Sequence, residues 1–144
     1  NESMNRALAW LKKAEPKSTE DHAFKLLGLH WGNADAATSS AAKALLEMQR
    51  DDHGWGQLPN MKSDAYATGQ ALFALREVGF LKVDSPHYRL GNKWLIDHQD
   101  ADGSWHVKTR SKPIQKYFES GFPHGKDQFI SISATCWALL ALLD

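Results

Sequence analysis

Cys136 is the only cysteine in 144 residues, so no internal disulfide framework can hold this chain, and the redox compartment stays open. Net charge is also missing. With 17 Lys and Arg against 17 Asp and Glu there is no general field to recruit nucleic acid or an anionic membrane, and no nucleic-acid partner is expected. No apolar run approaches the roughly 18 residues of a membrane span. The expectation is a soluble chain without a transmembrane segment, its compartment unknown. No stretch has the form of a signal peptide, and the chain opens at Asn1 almost directly inside a helical pattern formed by Met4, Leu8 and Leu11. His22, His30, His87 and His98 are scattered over helical stretches without the i, i+4 or paired spacing of a metal site. Neither a metal nor another cofactor is expected.

What the chain does contain is an internal repeat. The segment Leu45-x3-Gln49-Arg50-Asp51-Asp52-His53-Gly54-Trp55 recurs 50 residues later as Leu95-x3-Gln99-Asp100-Ala101-Asp102-Gly103-Ser104-Trp105. Each copy ends an apolar helical stretch with a glutamine and reaches a tryptophan six positions on, across a Gly/Asp turn. The stretch Ala67-Thr68-Gly69-Gln70-Ala71-Leu72-Phe73-Ala74-Leu75 likewise matches Ala134-Thr135-Cys136-Trp137-Ala138-Leu139-Leu140-Ala141-Leu142, 67 residues on. Repeats on this scale indicate an array of helical hairpins. The second unit is 17 residues longer than the first, and the surplus falls between Trp105 and Thr135.

Six helices are expected in one domain spanning 1–144. The first runs from Met4 to Ala14 and stops at Glu15-Pro16, because a residue before proline avoids the α region. The second begins at a capping box, Ser18-Thr19-Glu20-Asp21, and continues through Phe24, Leu26, Leu27 and Trp31 to Gly32-Asn33. The third spans Asp35 to Gln49 with Ala41, Leu45, Leu46 and Met48 as its apolar stripe. The fourth follows the cap Ser63-Asp64 and ends at Val78-Gly79; the fifth opens at Asp84-Ser85-Pro86 and runs to Gln99; the sixth covers Gln128 to Leu143. Helices two, four and six are rich in small and apolar residues around most of their circumference, whereas one, three and five are amphipathic. That alternation fits inner helices packed closely inside a ring of outer ones.

These residues resemble the Gln-Trp repeat of squalene–hopene and oxidosqualene cyclases and, more distantly, of protein prenyltransferase β-subunits. The resemblance covers essentially the whole chain. It is nearest to bacterial squalene-cyclase-like proteins of unassigned role, through the stretches from Ser63 to Gln70 and from Tyr117 to Gly125. It implies an all-α partial α/α toroid, three inner and three outer helices making half of an (α/α)6 barrel, in which Gln49, Trp55, Gln99 and Trp105 stabilise helix ends. The first copy departs from the family pattern by placing His53 where glycine is common, and a positive φ costs His more than Gly. Half a ring leaves an inner face rich in Leu, Phe and Ala uncovered, which is costly. Either an upstream half completes it or two copies associate. The abrupt start of the first helix favours the former and makes 1–144 the C-terminal part of a longer chain.

The resemblance implies no catalytic residue here. The Asp-x-Asp-Asp motif with which hopene-type cyclases protonate an alkene does not occur. The acid clusters Asp51-Asp52 and Asp97-x-x-Asp100-x-Asp102 fall on the repeat turns, where aspartates cap and bend the chain. Cys136 has no acid two positions before it, as a prenyltransferase-like zinc site requires, and its alignment with Gly69 marks it as a small residue buried at a tight inner-helix contact.

The insertion at 106–127 looks least like scaffold. It combines aromatics with titratable groups and with the rigid residues Pro113 and Pro123, and a long aperiodic loop inside a compact domain is usually functional or disordered. Its aromatics and prolines favour an ordered loop, placed where the sixth helix begins. Inner-helix N-termini present free N–H groups there, and Arg110 adds a bidentate donor, so Arg110, Tyr117, Glu119, His124 and Asp127 are candidates for binding a ligand's polar head. Alternatively, Tyr117, Phe118 and Phe122 plug the barrel end while Glu119, His124 and Asp127 bond loop backbone. Three functions stay open at this level: an unassigned or non-cyclising toroid holding an apolar, isoprenoid-like ligand; an interaction scaffold in a multidomain protein; and a terpene cyclase whose acid lies in an absent upstream part.

Overall fold

Ser18 starts the second helix by accepting the Asp21 N–H at 3.1 Å while the Asp21 carboxylate accepts the Ser18 N–H at 2.9 Å, the reciprocal pair that the sequence motif implies. The computed structural model describes residues 2–112, 114 and 116–143, so Asn1 and Pro113 of the sequence analysis lie outside the described residues. Its helices are α1 (Glu2–Lys13), α2 (Thr19–Trp31), α3 (Asp35–Leu46), α4 (Ala65–Glu77), α5 (Pro86–Asp97) and α6 (Gln128–Leu142), the last entered through a 3-10 turn at Gly125–Asp127. The protein is all-α. Among the described residues the only β pairing is one isolated bridge between Gly56 and Ser63.

Helices α3 and α5 end earlier than their apolar pattern suggests, at Leu46 and Asp97 instead of Gln49 and Gln99. The reason is that both glutamines act from inside the turn. Gln49 Nε2 donates to the His53 carbonyl and Gln99 Nε2 to the Gly103 carbonyl, each at 2.9 Å. Arg50 N–H and Asp100 N–H close the same turns onto Gly54 and Ser104 carbonyls. Asp52 and Asp102 accept N–H groups two residues on, both at 3.0 Å. Six positions past each glutamine the tryptophan enters the core, its indole N–H donating back to the carbonyl of Leu45 or Leu95. Its backbone N–H donates to the hydroxyl of Thr68 or Thr135 on the following inner helix. Each repeat turn thus ties the end of one helix to a threonine on another, Thr68 near the start of α4 and Thr135 midway along α6.

His53 holds φ at +70°, where the second turn uses Gly103 at +87°. Among the described residues the exposed imidazole makes no hydrogen bond that would reward this backbone. Replacing His53 with Gly is expected to raise stability by about 0.5–1 kcal/mol, the relief of left-handed strain exceeding the added unfolded-state entropy. The denaturation midpoint, with unchanged m-value, reads it; a lower midpoint overturns the strain account.

Helix α4 is the centre of the packing: α2 and α6 lie against it, α3 covers α2 and α4, α5 covers α4 and α6, and α1 packs on α2. The tightest approach is at Gly69. A Cβ there would fall 2.6 Å from the backbone carbonyl carbon of Trp137 and 2.7 Å from the Ala138 nitrogen. Cys136, the repeat equivalent of Gly69, is exposed and not buried as its alignment suggested. The physical reason is position in the array, since α4 is flanked on both sides and α6 has a described inner neighbour on one side only. The C-terminal end of α6 is tied down from α4 and α5, Arg76 donating to the Leu140 carbonyl at 2.9 Å and the Tyr88 hydroxyl to the Ala141 carbonyl at 2.5 Å. Both contacts satisfy carbonyls that a helix end leaves open.

Candidate functional site

One face shared by α2, α4 and α6 is lined by aromatics at helical spacing. On α4, Tyr66, Gln70 and Phe73 follow at i, i+4 and i+7; on α2, Glu20 and Phe24 are one turn apart. Trp137 of α6 brings these rows together, its ring centroid 6.1 Å from Phe24 and 5.6 Å from Phe73. Phe24 is about half exposed, at 48%, so this apolar floor is open to solvent.

The floor ends, toward the N-termini of α2 and α4, in a polar cluster. The Tyr66 hydroxyl donates to Glu20 Oε1 at 2.8 Å. Burial, and then the acceptor carboxylate of Glu20, push the Tyr66 phenol up to about 12, so it stays a donor at neutral pH. Gln57 is held beside the start of α2 by its own carbonyl, which accepts the Thr19 N–H at 3.1 Å. Its amide donates to Asp64 Oδ2 at 2.8 Å, while its carbonyl oxygen accepts Arg110 Nε at 2.8 Å. Burial pushes the Asp64 carboxyl up, against the Ala67 N–H and the Gln57 amide that favour its charged form. Gln70 is 2% exposed; its amide borders the Tyr66 phenol and favours its ionised form, but neither amide atom makes a hydrogen bond of ordinary geometry among the described residues.

The five candidates from the 106–127 insertion are found in three places. Arg110 reaches the cluster just described. Tyr117 and Glu119 are exposed and paired with each other, the phenol donating to the carboxylate. His124 and Asp127 belong to a network that pins the loop to the second repeat turn. There the imidazoles of His106 and His124 stack at 4.5 Å with planes 1° apart, and His106 Nε2 meets Asp127 Oδ2 at 2.9 Å. The other Asp127 oxygen accepts the Thr109 N–H at 2.9 Å, and these two hydrogen bonds hold its carboxyl below the ordinary aspartate range. Ser104 Oγ lies 2.6 Å from Asp102 Oδ1 and 2.8 Å from His124 Nε2. An oxygen–oxygen contact that short carries the serine proton, so the imidazole must bring its own N–H to Ser104. His124 is therefore a donor here and cannot activate Ser104 as a nucleophile. Gln128, buried at the start of α6, clamps the loop further by accepting the Ser120 N–H and donating to the Phe118 carbonyl. Among the described residues no group of three His, Cys, Asp or Glu side chains is placed to hold a metal ion.

Between the loop and α6 runs a groove of about 630 Å³ rimmed by Lys108, Lys112, Lys116 and Lys126, with Phe118 and Phe129 in its wall. Its lysines are surface side chains, and among the described residues the groove holds no polar group that is buried without a partner. Of the two surfaces, the aromatic face with its polar end is the better built. Glu20, Tyr66 and Gln70 were not singled out from sequence, although one signal was legible: Gln70 interrupts a run of small and apolar residues at the position where the second repeat has Trp137. No helix among the described residues is long and apolar enough to cross a membrane. No family model matches the chain, and no curated protein or solved structure does either.

Proposed function

We propose that this chain is a squalene-cyclase-like domain, part of an α/α toroid, that binds an apolar, isoprenoid-like ligand without cyclising it. The observation that carries the reading is the aromatic floor: three successive inner helices each contribute one ring, and the rings meet at Trp137. Aromatic side chains supply large contact area with little rotamer entropy to lose, which suits an extended hydrocarbon. The 106–127 loop, pinned by His106, His124, Asp127 and Gln128, supports the reading by carrying Arg110 to one end of that floor. The Asp-x-Asp-Asp motif of the alkene-protonating cyclases does not occur in the sequence, so binding without turnover is the economical assignment for these residues.

The test is retention of a polyprenyl alcohol, supplied in detergent and read by native mass spectrometry. A Phe73→Ala, Trp137→Ala double variant is expected to lose at least about tenfold in affinity, since each ring removes contact area worth more than 1 kcal/mol. Unchanged retention in a folded double variant overturns the assignment.

A second reading, an interaction scaffold, is favoured by a different surface. Phe129, Leu139, Leu140 and Leu143 form an exposed apolar stripe along α6, on the side where no described helix covers it. Such a stripe supports packing against further helices, whether an upstream half of the toroid or a second copy. In the same mass spectra a ligand-free dimer, broken by Leu139→Glu with Leu140→Glu, moves the assignment to the scaffold.

A further inference from the structure

Gln70 is the residue that the aromatic floor does not explain. Its polar neighbours are engaged with one another: the Tyr66 hydroxyl with Glu20, both Asp64 oxygens with Ala67 N–H and Gln57, and both Gln57 amide atoms with Asp64 and Arg110. Gln70 is enclosed beside the Tyr66 phenol with no hydrogen bond of ordinary geometry at its carbonyl or its NH₂ among the described residues. Buried amides are ordinarily satisfied, because an unpaired one has lost its water for nothing. The repeat shows that this position does not demand a glutamine, since its equivalent on α6 is Trp137, an apolar ring on the same face. A leucine would fill the site without the loss.

Gln70 lines a narrow crevice together with Glu20, Gln57, Tyr66 and Arg110. As it stands the crevice is too narrow for a water molecule. Three of its walls are helix-borne or buried, whereas Arg110 is an exposed side chain on the inserted loop, held among the described residues by a hydrogen bond to Gln57. Displacing the Arg110 side chain is the least costly way to open it. The charges around it are mixed: an anionic head would meet Glu20 and Asp64 as well as Arg110, and a cationic head would meet the guanidinium. An uncharged group escapes both repulsions. It must donate to the Gln70 carbonyl and accept from the Gln70 NH₂, which a hydroxyl does most simply.

We propose that Gln70, with Tyr66, Glu20 and Arg110 around it, is a recognition site for the hydroxyl of a long-chain alcohol whose hydrocarbon lies on Phe24, Phe73 and Trp137. The inference rests on the reading of the aromatic face as a ligand floor, and its test separates the two. A site built to hydrogen-bond a hydroxyl rejects analogues that lack the donor or carry charge.

Dodecanol, dodecyl methyl ether and dodecyl phosphate share one tail and differ in the head. Titration calorimetry of the whole chain is expected to rank dodecanol at least about tenfold above both others. Gln70→Leu is expected to erase that preference, lowering dodecanol affinity about tenfold and leaving the ether unchanged, while the thermal midpoint holds or rises because a buried amide without an ordinary hydrogen bond is gone. Gln70→Glu, which keeps size and adds charge, is expected to weaken dodecanol as well. If all three probes bind alike and Gln70→Leu changes none of them, the head site is overturned and the floor stands. If no probe binds the unmodified chain, floor and head site fall together. If Gln70→Leu costs stability and leaves the ranking intact, the amide is a packing element bonded to water and the proposal is wrong.

Discussion

Truncating Trp55 to alanine is expected to lower the unfolding free energy by about 3–5 kcal/mol, the range for removing a large aromatic from a core that cannot collapse around the gap. The indole is 0% exposed. It is also more than packing volume, because its N–H satisfies the Leu45 carbonyl at 2.9 Å where α3 has just ended. Alanine therefore opens a cavity and leaves the Leu45 carbonyl with only the longer hydrogen bond from the Met48 N–H, at 3.3 Å. Trp55→Phe separates the two contributions, since it restores most of the ring and none of the hydrogen bond; about 1–2 kcal/mol of loss is expected from it. Denaturant unfolding checks both, with Trp105→Ala as the internal repeat of the experiment because Trp105 has the same geometry, 1% exposed and bonded to the Leu95 carbonyl at 2.8 Å. A loss below about 1 kcal/mol at either alanine would show that the repeat turn is not what couples the helices.

Adding a single methyl group at Gly69 is expected to cost about 2 kcal/mol or more, although alanine is the better helix former by about 1 kcal/mol. The helix-propensity gain is outweighed because the new Cβ meets backbone, at 2.6 Å from the Trp137 carbonyl carbon and 2.7 Å from the Ala138 nitrogen. A side chain can rotate away; a helix backbone can only be pushed off. The displaced helix is α6, so the strain would also pull Trp137 from Phe73, their centroids now 5.6 Å apart, and retention of the proposed ligand is expected to fall with stability. Cys136→Ala is the control. At this repeat-equivalent site the side chain is exposed, and a change within about 0.5 kcal/mol is expected. Equal effects at the two positions in thermal unfolding refute the asymmetry between a flanked helix and one with an open side.

The repeat was legible because its parts are local. A glutamine, an aspartate, a turn residue of positive φ and a tryptophan at fixed spacing build one hydrogen-bonded unit within about ten residues, and the two copies agree to within 0.1 Å in the Gln-to-turn and Trp-to-helix distances. The polar end of the aromatic face was not legible in the same way. Its members come from α2, the loop before α4, α4 itself and the insertion, with 53 residues separating Arg110 from Gln57. Among these, only Arg110 drew notice from its neighbourhood in sequence. Tyr117 and Glu119 drew notice equally and pair with each other at the surface, and His124 and Asp127 fasten the loop.

From the chain alone came the all-α class, six helices with their caps, the turns that join them and the extra length before α6. Those properties follow from apolar periodicity and from side chains that bond backbone a few residues away, interactions that need no tertiary partner. The packing of the helices decided which apolar stripe stays open and why Cys136 faces solvent where Gly69 is enclosed. It also decided that Gln70, beside Tyr66 and Glu20, makes no hydrogen bond of ordinary geometry among the described residues. Burial and satisfaction of a polar group depend on what other segments bring within about 3 Å, and that distance is set by the fold.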